Sequence, residues 1–490
     1  MTACPGTSAL PRGSRKPRNQ EFQETIVTAE PNPAATAPIL AAAGESAYAA
    51  ATSSYNLAVE IRPLFAATAT TVADVQAILR EARAQNLSVR VHATGHAAGS
   101  ALPYGADDVL IRVRLEGGVA VDPEARTAVI PAGTPWGEVL AASAPHGLVP
   151  LHGSSPTVGA VGYLLRTGLS FYGRRYGLAS NSVTSITLVT ADGAVVTVNH
   201  DHDRELFDAL RGGGGGFGVV VSVTVSLFAI DSVFTGAAFW PAAEAPFLLQ
   251  AWEEWAETAP PEASTAFRVM NLPPLPGIPP ALTAGPVVCI DGAVLDGEGR
   301  SGAEIAADLL EPLRRRVAPI LDTWHPGVPT DVPATHMDPP DPAPFVGDHQ
   351  MLKPLGAAGR QALLSIAGTA AGAHLTIVEL RQLGGALAVA DPRGGIVNSL
   401  SGAYGSLSIG ILAGPDALEG VEAGLAALRA VLEPWDTGLT APSFVDRFDG
   451  PQRSFDASVA EQVEAVRRRV DPQGVFGRDA SYAVPAGSRR

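Results

Sequence analysis

Apolar positions recur every three or four residues over 71–86, which predicts an amphipathic helix, and Thr71 stands where its N-cap is expected. A short strand over 88–92 and a glycine turn follow. Alternating or β-branched runs predict further strands over 109–115, 128–131, 183–198 and 219–227. The turn signal Ala191-Asp192-Gly193 folds the third of these runs into a hairpin, and a short helix over 203–210 precedes the last. Residues 55–230 are therefore expected to form an α+β domain.

The pattern changes after Ile230, where Pro-rich loops separate the apolar segments. Strands are predicted over 233–240, 266–271, 287–294, 374–380 and 402–412. Helices are predicted over 247–257, 303–315, 359–367 and 416–432, with a last helix in 459–476 that ends at Asp471-Pro472. This mixture favours an antiparallel sheet with helices on one face. The first 40 or so residues show little periodicity, and we interpret 1–45 as a flexible tail.

Charge and composition remove several classes of function. The chain of 490 residues has a formal net charge of −15, which disfavours nucleic acid as a partner. Only Cys4 and Cys289 occur, so a disulfide framework or a Cys-rich metal site is excluded, and no metal is predicted. No apolar run reaches the ~18 residues of a membrane helix, and no secretory signal is evident. We therefore expect a cytoplasmic protein with no membrane partner.

The segment VHATGHAAG over 91–99 lies where a strand turns into a loop. Small residues on both sides of His96 allow a planar ligand to approach the backbone, and successive N–H groups in such a loop suit a diphosphate. A neutral imidazole there can also act as a nucleophile. The competing interpretation is an ordinary buried turn with a hydrogen-bonded histidine.

Two further glycine-rich segments carry weaker signals. RGGGGGFG over 211–218 is preceded by a helix and followed by a strand, the reverse of the order that a dinucleotide fingerprint needs. Its glycines indicate positive φ angles or close approach to something flat. LHGSSPTVGAVGYLLRTGLSFYGRRY over 151–176 mixes glycines with hydroxyls, as a phosphate-bearing cofactor requires, or is a loop packed on the core.

The remaining polar signals are local. We interpret 200–203 as a solvated turn, and His325, His336 and His349 as surface residues of Pro-rich loops. Glu379 and Arg381 share one face of a predicted strand, as a structural ion pair or as catalytic groups.

Taken in order, seven segments resemble the FAD-linked oxidases of the vanillyl-alcohol oxidase type, and specifically the berberine bridge enzyme-like branch. They are TGHAAG (94–99), GSSPTVGAVGY (153–163), RRYGLASNSV (174–183), VTADGAVVTV (189–198), ELFDALRGGGGGFGVV (205–220), ELRQLGGAL (379–387) and RRRVDPQGVF (467–476). The resemblance implies a two-lobed, PCMH-type α+β fold. Its FAD-binding domain would comprise 55–230 and a returning C-terminal segment, 435–480, with a substrate-binding domain over 231–434.

The resemblance also implies which residues hold the FAD. His96 occupies the position that bonds to the flavin 8α-methyl carbon, and Ser155 stands where some members add a cysteinyl link, so a single histidyl attachment is expected. Tyr163 stands where plant members place a histidine near the flavin pyrimidine. Gly153 stands at the position whose side chain controls the access of oxygen to the flavin in plant members. The other implied cofactor-binding residues are Ala93, Thr94, Gly95, Ala97, Ser154, Thr157, Gly159, Gly162, Gly218, Val219 and Val220.

Several departures from the family pattern affect the chemistry. Arg166-Thr167-Gly168 replaces a triple glycine, so Arg166 either clashes with the cofactor or adds a charge near it. Gly216 replaces an asparagine, 443–448 lacks the usual tyrosine, and 402–412 contains no Asp or Glu. The usual proton-abstracting groups are therefore missing, while the flavin site is mostly retained.

The function implied is an FAD-dependent oxidoreductase, an oxidase that transfers a hydride from a C–H bond of an alcohol, sugar or secondary metabolite to flavin N5. Its partners would be that small-molecule substrate and O2 as the final acceptor. Tyr163, Glu379 and Tyr404 are the candidate catalytic residues, with His374 as a further possible base. The alternative is a flavin-binding protein whose activity is lost or redox-neutral, as in a cyclase.

Overall fold

The computed structural model describes residues 40–275, 277–414, 417–448 and 452–477. Most of the predicted tail, residues 1–39, and the end of the C-terminal segment, residues 478–480, lie outside these ranges. The part of the tail that is described already joins a sheet, because Ala41 and Ala42 pair with Ala66 and Phe65.

The strands, in chain order, are β1 Ala41–Ala42, β2 Phe65–Ala69, β3 Ser88–His92, β4 Asp108–Val113, β5 Ala120–Asp122, β6 Thr127–Pro131, β7 Leu148–Val149, β8 Val183–Val189, β9 Val195–Asn199, β10 Val219–Ser226, β11 Phe228–Ala229, β12 Val233–Pro241, β13 Ala263–Met270, β14 Val287–Val294, β15 Leu321–Asp322, β16 His325–Gly327, β17 Phe345–Leu352, β18 Ile377–Gln382 and β19 Tyr404–Ile411.

The helices are α1 Ser46–Ala51, α2 Val72–Ala84, α3 Trp136–Ser143, α4 Ala160–Leu165, α5 Gly173–Tyr176, α6 Arg204–Leu210, α7 Ala245–Ala256, α8 Gly302–Arg316, α9 Val332–Thr335, α10 Gly356–Leu364, α11 Ala417–Leu432 and α12 Ala457–Val470.

The first lobe contains two larger sheets that share one hydrophobic core, and a two-stranded sheet of β7 and β11. In the four-stranded sheet, of order β1-β2-β4-β3, the pairs β2/β4 and β3/β4 are parallel. Helix α2 begins at the predicted cap, where Thr71 and Asp74 form a capping box, and it buries Val75, Ile78 and Leu79. The loop that follows β3 therefore leaves the carboxyl end of a parallel sheet, a common position for a binding loop.

The second sheet of this lobe, of order β5-β6-β10-β8-β9, is antiparallel. The predicted hairpin joins β8 to β9, where Gly193 adopts φ +89° and the Thr190 N–H donates to the Ala194 carbonyl. The C-terminal part of the chain packs here, since Val463 and Phe476 are buried in the same core and the Val89 N–H donates to the Val475 carbonyl.

The second lobe is one antiparallel sheet of order β15-β12-β14-β13-β18-β19-β17, with β16 also paired to β12. Helices α7, α8, α10 and α11 cover one face, where Trp252, Leu309 and Leu425 pack on the sheet. Successive residues of a strand point to opposite faces, so Val378 and Leu380 join this core while Glu379 and Arg381 face the other way. The prediction of an antiparallel sheet with helices on one face is confirmed.

Candidate functional site

A cavity of about 440 Å³ lies between loops of the first lobe and the uncovered face of the second-lobe sheet. The first lobe contributes the loop after β3, the segment 153–166 and part of the glycine loop before β10. The second lobe contributes residues of β17, β18 and β19 and the segment 336–343. The cavity is therefore shaped by both lobes and by segments far apart in the sequence.

The loop after β3 places His96 against the cavity. Gly95 adopts φ +79°, and a β-carbon there would lie 2.9 Å from the Ser54 Cα, so only glycine fits this turn. The His96 ring stacks on Tyr55, with centroids 3.6 Å apart, and its Nε2 lies 3.0 Å from Thr157 Oγ1. Burial lowers the pKa of His96 to about 4, so the imidazole is neutral at pH 7.

Helix α4 and the residues before it form the adjoining wall. Gly159 caps α4 and its N–H donates to Thr94 Oγ1 at 3.3 Å, which ties this wall to the His96 loop. Tyr163 lines the cavity with its ring edge-on to Trp136, 5.4 Å between centroids. Its buried hydroxyl has no hydrogen-bond partner among the described residues, and burial raises its pKa. Tyr163 therefore stays protonated and is a donor for a bound molecule rather than a base.

The structure brings most of the predicted cofactor-binding residues to this cavity. Thr157 does not line it but reaches it through His96. Val219 is buried in β10, where it pairs with Val189. The predicted residues that do line the cavity are Ala93, Thr94, Gly95, His96, Ala97, Gly153, Ser154, Ser155, Gly159, Gly162, Tyr163, Gly218 and Val220.

The glycine loop before β10 is organised by a cation from the C-terminal helix. Arg467 in α12 donates to the carbonyls of Gly213, at 2.8 Å, and Gly215, at 2.9 and 3.1 Å, while its guanidinium lies over the Phe217 ring. Gly216 adopts φ +92°, and a β-carbon there would lie 2.9 Å from Arg467 Nε. The predicted positive φ and close approach are therefore present, and the group approached is an arginine of the same chain.

Arg166 and Thr167 stand where the family pattern has glycines. Arg166 lines the cavity, and its Nη2 donates to Ser100 Oγ at 2.5 Å. Thr167 is fully buried and adopts φ +69°. A β-branched residue in the left-handed region is strained by about 1–3 kcal/mol, so the backbone at 167 keeps a conformation suited to glycine.

Buried charges form a cluster on the second-lobe side of the cavity. Arg381 Nε donates to Glu379 Oε1 at 2.7 Å, and His336 Nε2 lies 3.1 Å from Glu379 Oε2. Behind them, His336 Nδ1 lies 2.8 Å from Asp291 Oδ2, which pairs with Arg268. All five side chains are about nine-tenths buried or more.

The charge state of this cluster follows from its mutual contacts. Burial and Arg268 lower the pKa of His336, but Asp291 and Glu379 outweigh them and raise it to about 9. Although burial raises the pKa of Glu379, Arg381 and His336 hold it well below the usual range. At neutral pH Glu379 is therefore ionised and a weak base, which fits a group that orients a polar substrate better than one that removes its proton.

Asp446 is a candidate functional residue that the sequence did not single out. It lines the cavity, half-buried, and its carboxylate lies over Gly347 of β17 in the space that a side chain would fill. The register pairs Gly347 with Ile409, and Ile409 with Ile377, so Asp446 shares the sheet face of these cavity residues. Burial raises the pKa of Asp446 to about 7, against the opposing charge of Arg166. A carboxylate with this pKa is suited to accept a proton near neutral pH.

Three expectations from the sequence are wrong. Tyr404 faces the helices, where its ring packs on Trp252 at 5.3 Å, so it does not reach the cavity. His374 is exposed ahead of β18 and does not line the cavity. His336 and His349 are buried rather than on the surface, because charges and the Phe444 ring surround them. His336 lies in a proline-rich segment without periodicity, which gave no signal of burial, whereas His349 lies in β17, a strand that was not predicted from the sequence.

The residues present fit a bound FAD. The His96 loop and the α4 wall form a cradle in which a side chain at 95 or 168 would clash, since a β-carbon at Gly168 would lie 2.7 Å from Tyr163 Cδ1. Two buried polar atoms at the cavity, Tyr163 OH and His92 Nδ1, lack partners among the described residues. Neutral donors, backbone amides and a neutral imidazole are the groups expected around a planar, hydrogen-bonding cofactor with a diphosphate.

Comparisons with known proteins agree with this assignment. Residues 63–199 match the model of an FAD binding domain. The chain is 34% identical over 169 residues to (R)-6-hydroxynicotine oxidase of Paenarthrobacter nicotinovorans, an alignment that covers 34% of this chain and 36% of that protein. The chain matches about a third to a half of the length of the first curated relatives.

Solved structures establish the fold along nearly the whole chain. The BBE-like 1 protein of Physcomitrella patens superimposes with a TM-score of 0.77 at 21% identity, covering 92% of this chain and 98% of that one. Glucooligosaccharide oxidase of Acremonium strictum superimposes with a TM-score of 0.73 at 17% identity, covering 91% and 97%.

These findings support an oxidoreductase enzyme of the FAD-linked class, as predicted. The predicted resemblance to FAD-linked oxidases is confirmed over the matched part of the chain. The solved structures, a berberine bridge enzyme-like protein among them, confirm the two-lobed α+β fold that this resemblance implies. None of the helices in the described ranges combines the length and the hydrophobicity that crossing a bilayer requires.

Proposed function

We propose that this protein is an FAD-dependent oxidase in which His96 alone is bonded to the flavin. The observation that carries the proposal is one cavity with a neutral, desolvated imidazole on one wall and ionisable carboxylates on the other. Glucooligosaccharide oxidase of Acremonium strictum contains a 6-S-cysteinyl, 8α-N1-histidyl FAD. Ser155 offers no thiol for a second bond, so a single histidyl link is the corresponding arrangement here.

Bound FAD would supply the acceptor for a hydride from a substrate C–H bond, with O2 as the final electron acceptor. The chain's own part is to position the substrate and to accept the proton of its hydroxyl or amine. We assign the proton to Asp446, because its pKa of about 7 matches neutral pH whereas Glu379 is too weakly basic. Glu379 and Arg381 would hold the polar end of the substrate.

The cavity floor supports a particular substrate class within alcohols, sugars and secondary metabolites. Ile377, Leu407 and Ile409 form an apolar surface between Asp446 and the charged cluster. Such a floor suits an apolar or aromatic metabolite with one hydroxyl or amine beside the oxidised carbon better than a polyhydroxylated sugar.

The test is to express the chain with ample riboflavin and precipitate it with acid. We expect the yellow chromophore to stay with the wild-type polypeptide and to be absent from it in His96→Ala. A panel of aromatic and aliphatic alcohols and secondary amines should then contain a compound that bleaches the flavin without oxygen and releases hydrogen peroxide with it. A colourless wild-type protein contradicts the proposal.

A redox-neutral activity is the second candidate, favoured by the low basicity of Glu379 and the absence of a tyrosine in 443–448. In that case a bound compound would be converted with no net bleaching and no peroxide.

A further inference from the structure

The imidazole of His96 is held by two groups that leave one of its nitrogens open. Tyr55 covers one ring face, and Nε2 is engaged by Thr157 Oγ1 at 3.0 Å. Thr157 Oγ1 in turn lies 2.9 Å from Ser155 Oγ, and Ser155 lines the cavity. Nδ1 forms no hydrogen bond with a described residue and is not a buried atom, so it is open to the cavity that His96 lines.

A neutral imidazole carries a single N–H, so only one of its nitrogens has a free electron pair. For the open Nδ1 to be the nucleophile, the proton must be on Nε2 and must be donated to Thr157 Oγ1. Thr157 can accept it because its own O–H can turn to Ser155 Oγ. The pair of hydroxyls therefore selects the tautomer that attacks from the cavity side.

The same two hydroxyls would donate in the opposite direction once the bond to the flavin has formed. With FAD bound beside His96, a C–N bond would join Nδ1 to the flavin 8α carbon, that carbon would lose one proton, and Nε2 would lose its proton to Thr157. The two electrons would pass to the flavin and then to O2, which would take up the two protons as hydrogen peroxide. Nε2 would then be an acceptor, and the hydroxyls would reverse so that Ser155 donates to Thr157 and Thr157 donates to Nε2.

We propose that Thr157 is a positioning residue for the attachment of the flavin, and that Thr157 and Ser155 act as a two-way hydroxyl pair for the Nε2 proton of His96. This inference rests on the proposed function, because it assumes that FAD binds beside His96. The geometry that carries it is the series of contacts from Nε2 to the Thr157 hydroxyl and on to the Ser155 hydroxyl.

The experiment measures attachment itself rather than oxidase activity. Full-length protein is produced under riboflavin limitation and mixed with FAD, and the covalent fraction is followed over time by flavin fluorescence in denaturing gels and by intact mass. Total bound FAD is measured in the same samples. Thr157→Val, which keeps the shape of the side chain and removes the hydroxyl, should slow attachment at least tenfold while FAD still binds. Thr157→Ser should restore the rate, and Ser155→Ala should slow it less than Thr157→Val.

Thr197→Val is the matched control, because Thr197 is exposed on β9, outside the cavity lining, and its hydroxyl bonds to that of Thr187. Equal rates in wild type and Thr157→Val would overturn the inference. If Thr157→Val fails to fold, the linkage site in the wild-type flavopeptide decides by NMR, since a bond at Nδ1 supports the inference and a bond at Nε2 overturns it. Wild-type protein that binds FAD only noncovalently would overturn the inference and the histidyl link of the proposed function, but not the FAD-dependent oxidase itself. Protein that binds no FAD would overturn the proposed function as a whole, whereas covalent attachment at equal rates in wild type and Thr157→Val would overturn the inference alone.

Discussion

The two walls of the cavity are built in different ways. The first-lobe wall consists of backbone in tight turns, with Gly95 and Gly168 at positive φ and with small residues that leave room for a flat molecule. The sheet wall consists of side chains, with the charged cluster around His336 at one end and Asp446 at the other. The first-lobe wall therefore offers space for a flat cofactor, whereas the sheet wall offers charged groups that a substrate would have to complement.

Removing one charge should disturb the sheet wall most. Glu379→Gln leaves Arg381 and His336 buried without their shared carboxylate, so we expect a loss of about 3–5 kcal/mol in the free energy of unfolding, measured with urea. The control is Glu60→Gln, whose partner Arg62 is exposed, and it should change stability by no more than about 0.5 kcal/mol. Similar losses in both would mean that the cluster is not a coupled buried unit.

The same cluster predicts a pH dependence. The pKa of His336 is raised from 6.5 to about 9, so its contribution to stability is fully present below pH 6.5 and is lost as the pH rises through 9. Thermal melts of the wild type should show this decline over pH 6.5–9, and Glu379→Gln should reduce it. A wild-type melting temperature that rises over this range contradicts the assignment.

The first-lobe wall should respond to the arginine that holds its glycine loop. Arg467→Met removes the hydrogen bonds to Gly213 and Gly215 and leaves buried carbonyls unpaired, so we expect a loss of about 2–3 kcal/mol. The neighbouring Arg468 is exposed, and Arg468→Met should cost less than about 0.5 kcal/mol. Equal unfolding free energies for the two variants would show that the loop holds its shape without Arg467.

Asp446 should control the pH profile of flavin reduction. With a pKa of about 7, its carboxylate form falls about tenfold per pH unit below that value, and the rate with a bleaching substrate should fall with it. Asp446→Asn should remove this dependence along with most of the rate. Because the pKa of Asp446 is raised in the folded state, its ionisation lowers the stability of the wild type as the pH rises through 7. The melting temperature of Asp446→Asn should therefore increase relative to that of the wild type between pH 5 and pH 8. Retention of the acidic limb in the variant would point to another base.

The smallest effect should come from relieving strain in the first-lobe wall. Thr167→Gly should stabilise the protein by about 1 kcal/mol, because Thr167 adopts φ +69°. Thr197→Gly, in an extended strand, should destabilise by about 0.5–1 kcal/mol. If Thr167→Gly and Thr197→Gly both lowered the free energy of unfolding, the backbone at Thr167 would not be strained.

The contrast between the walls also explains what could be predicted from the sequence. The first wall comes from contiguous motifs, so His96 and Tyr163 could be named before the structure was known. The sheet wall joins a residue from β18, one from a Pro-rich loop and one from the C-terminal segment, so neither His336 nor Asp446 stood out. A usable signal was the alternation Val378-Glu379-Leu380-Arg381, since charges at every second position of an apolar strand indicate a polar binding face. Tyr404 was misplaced because one position along β19 decides which face its ring takes.

That alternation on β18 has a consequence for folding. If β18 paired one residue out of step with its neighbours, Glu379 and Arg381 would enter the tryptophan-lined layer under the helices, while Val378 and Leu380 would turn towards the cavity. A shifted register of this strand would therefore bury two charges in an apolar layer, at a large cost in free energy. The same two side chains that line the cavity thus help to fix the register of β18 as the sheet forms.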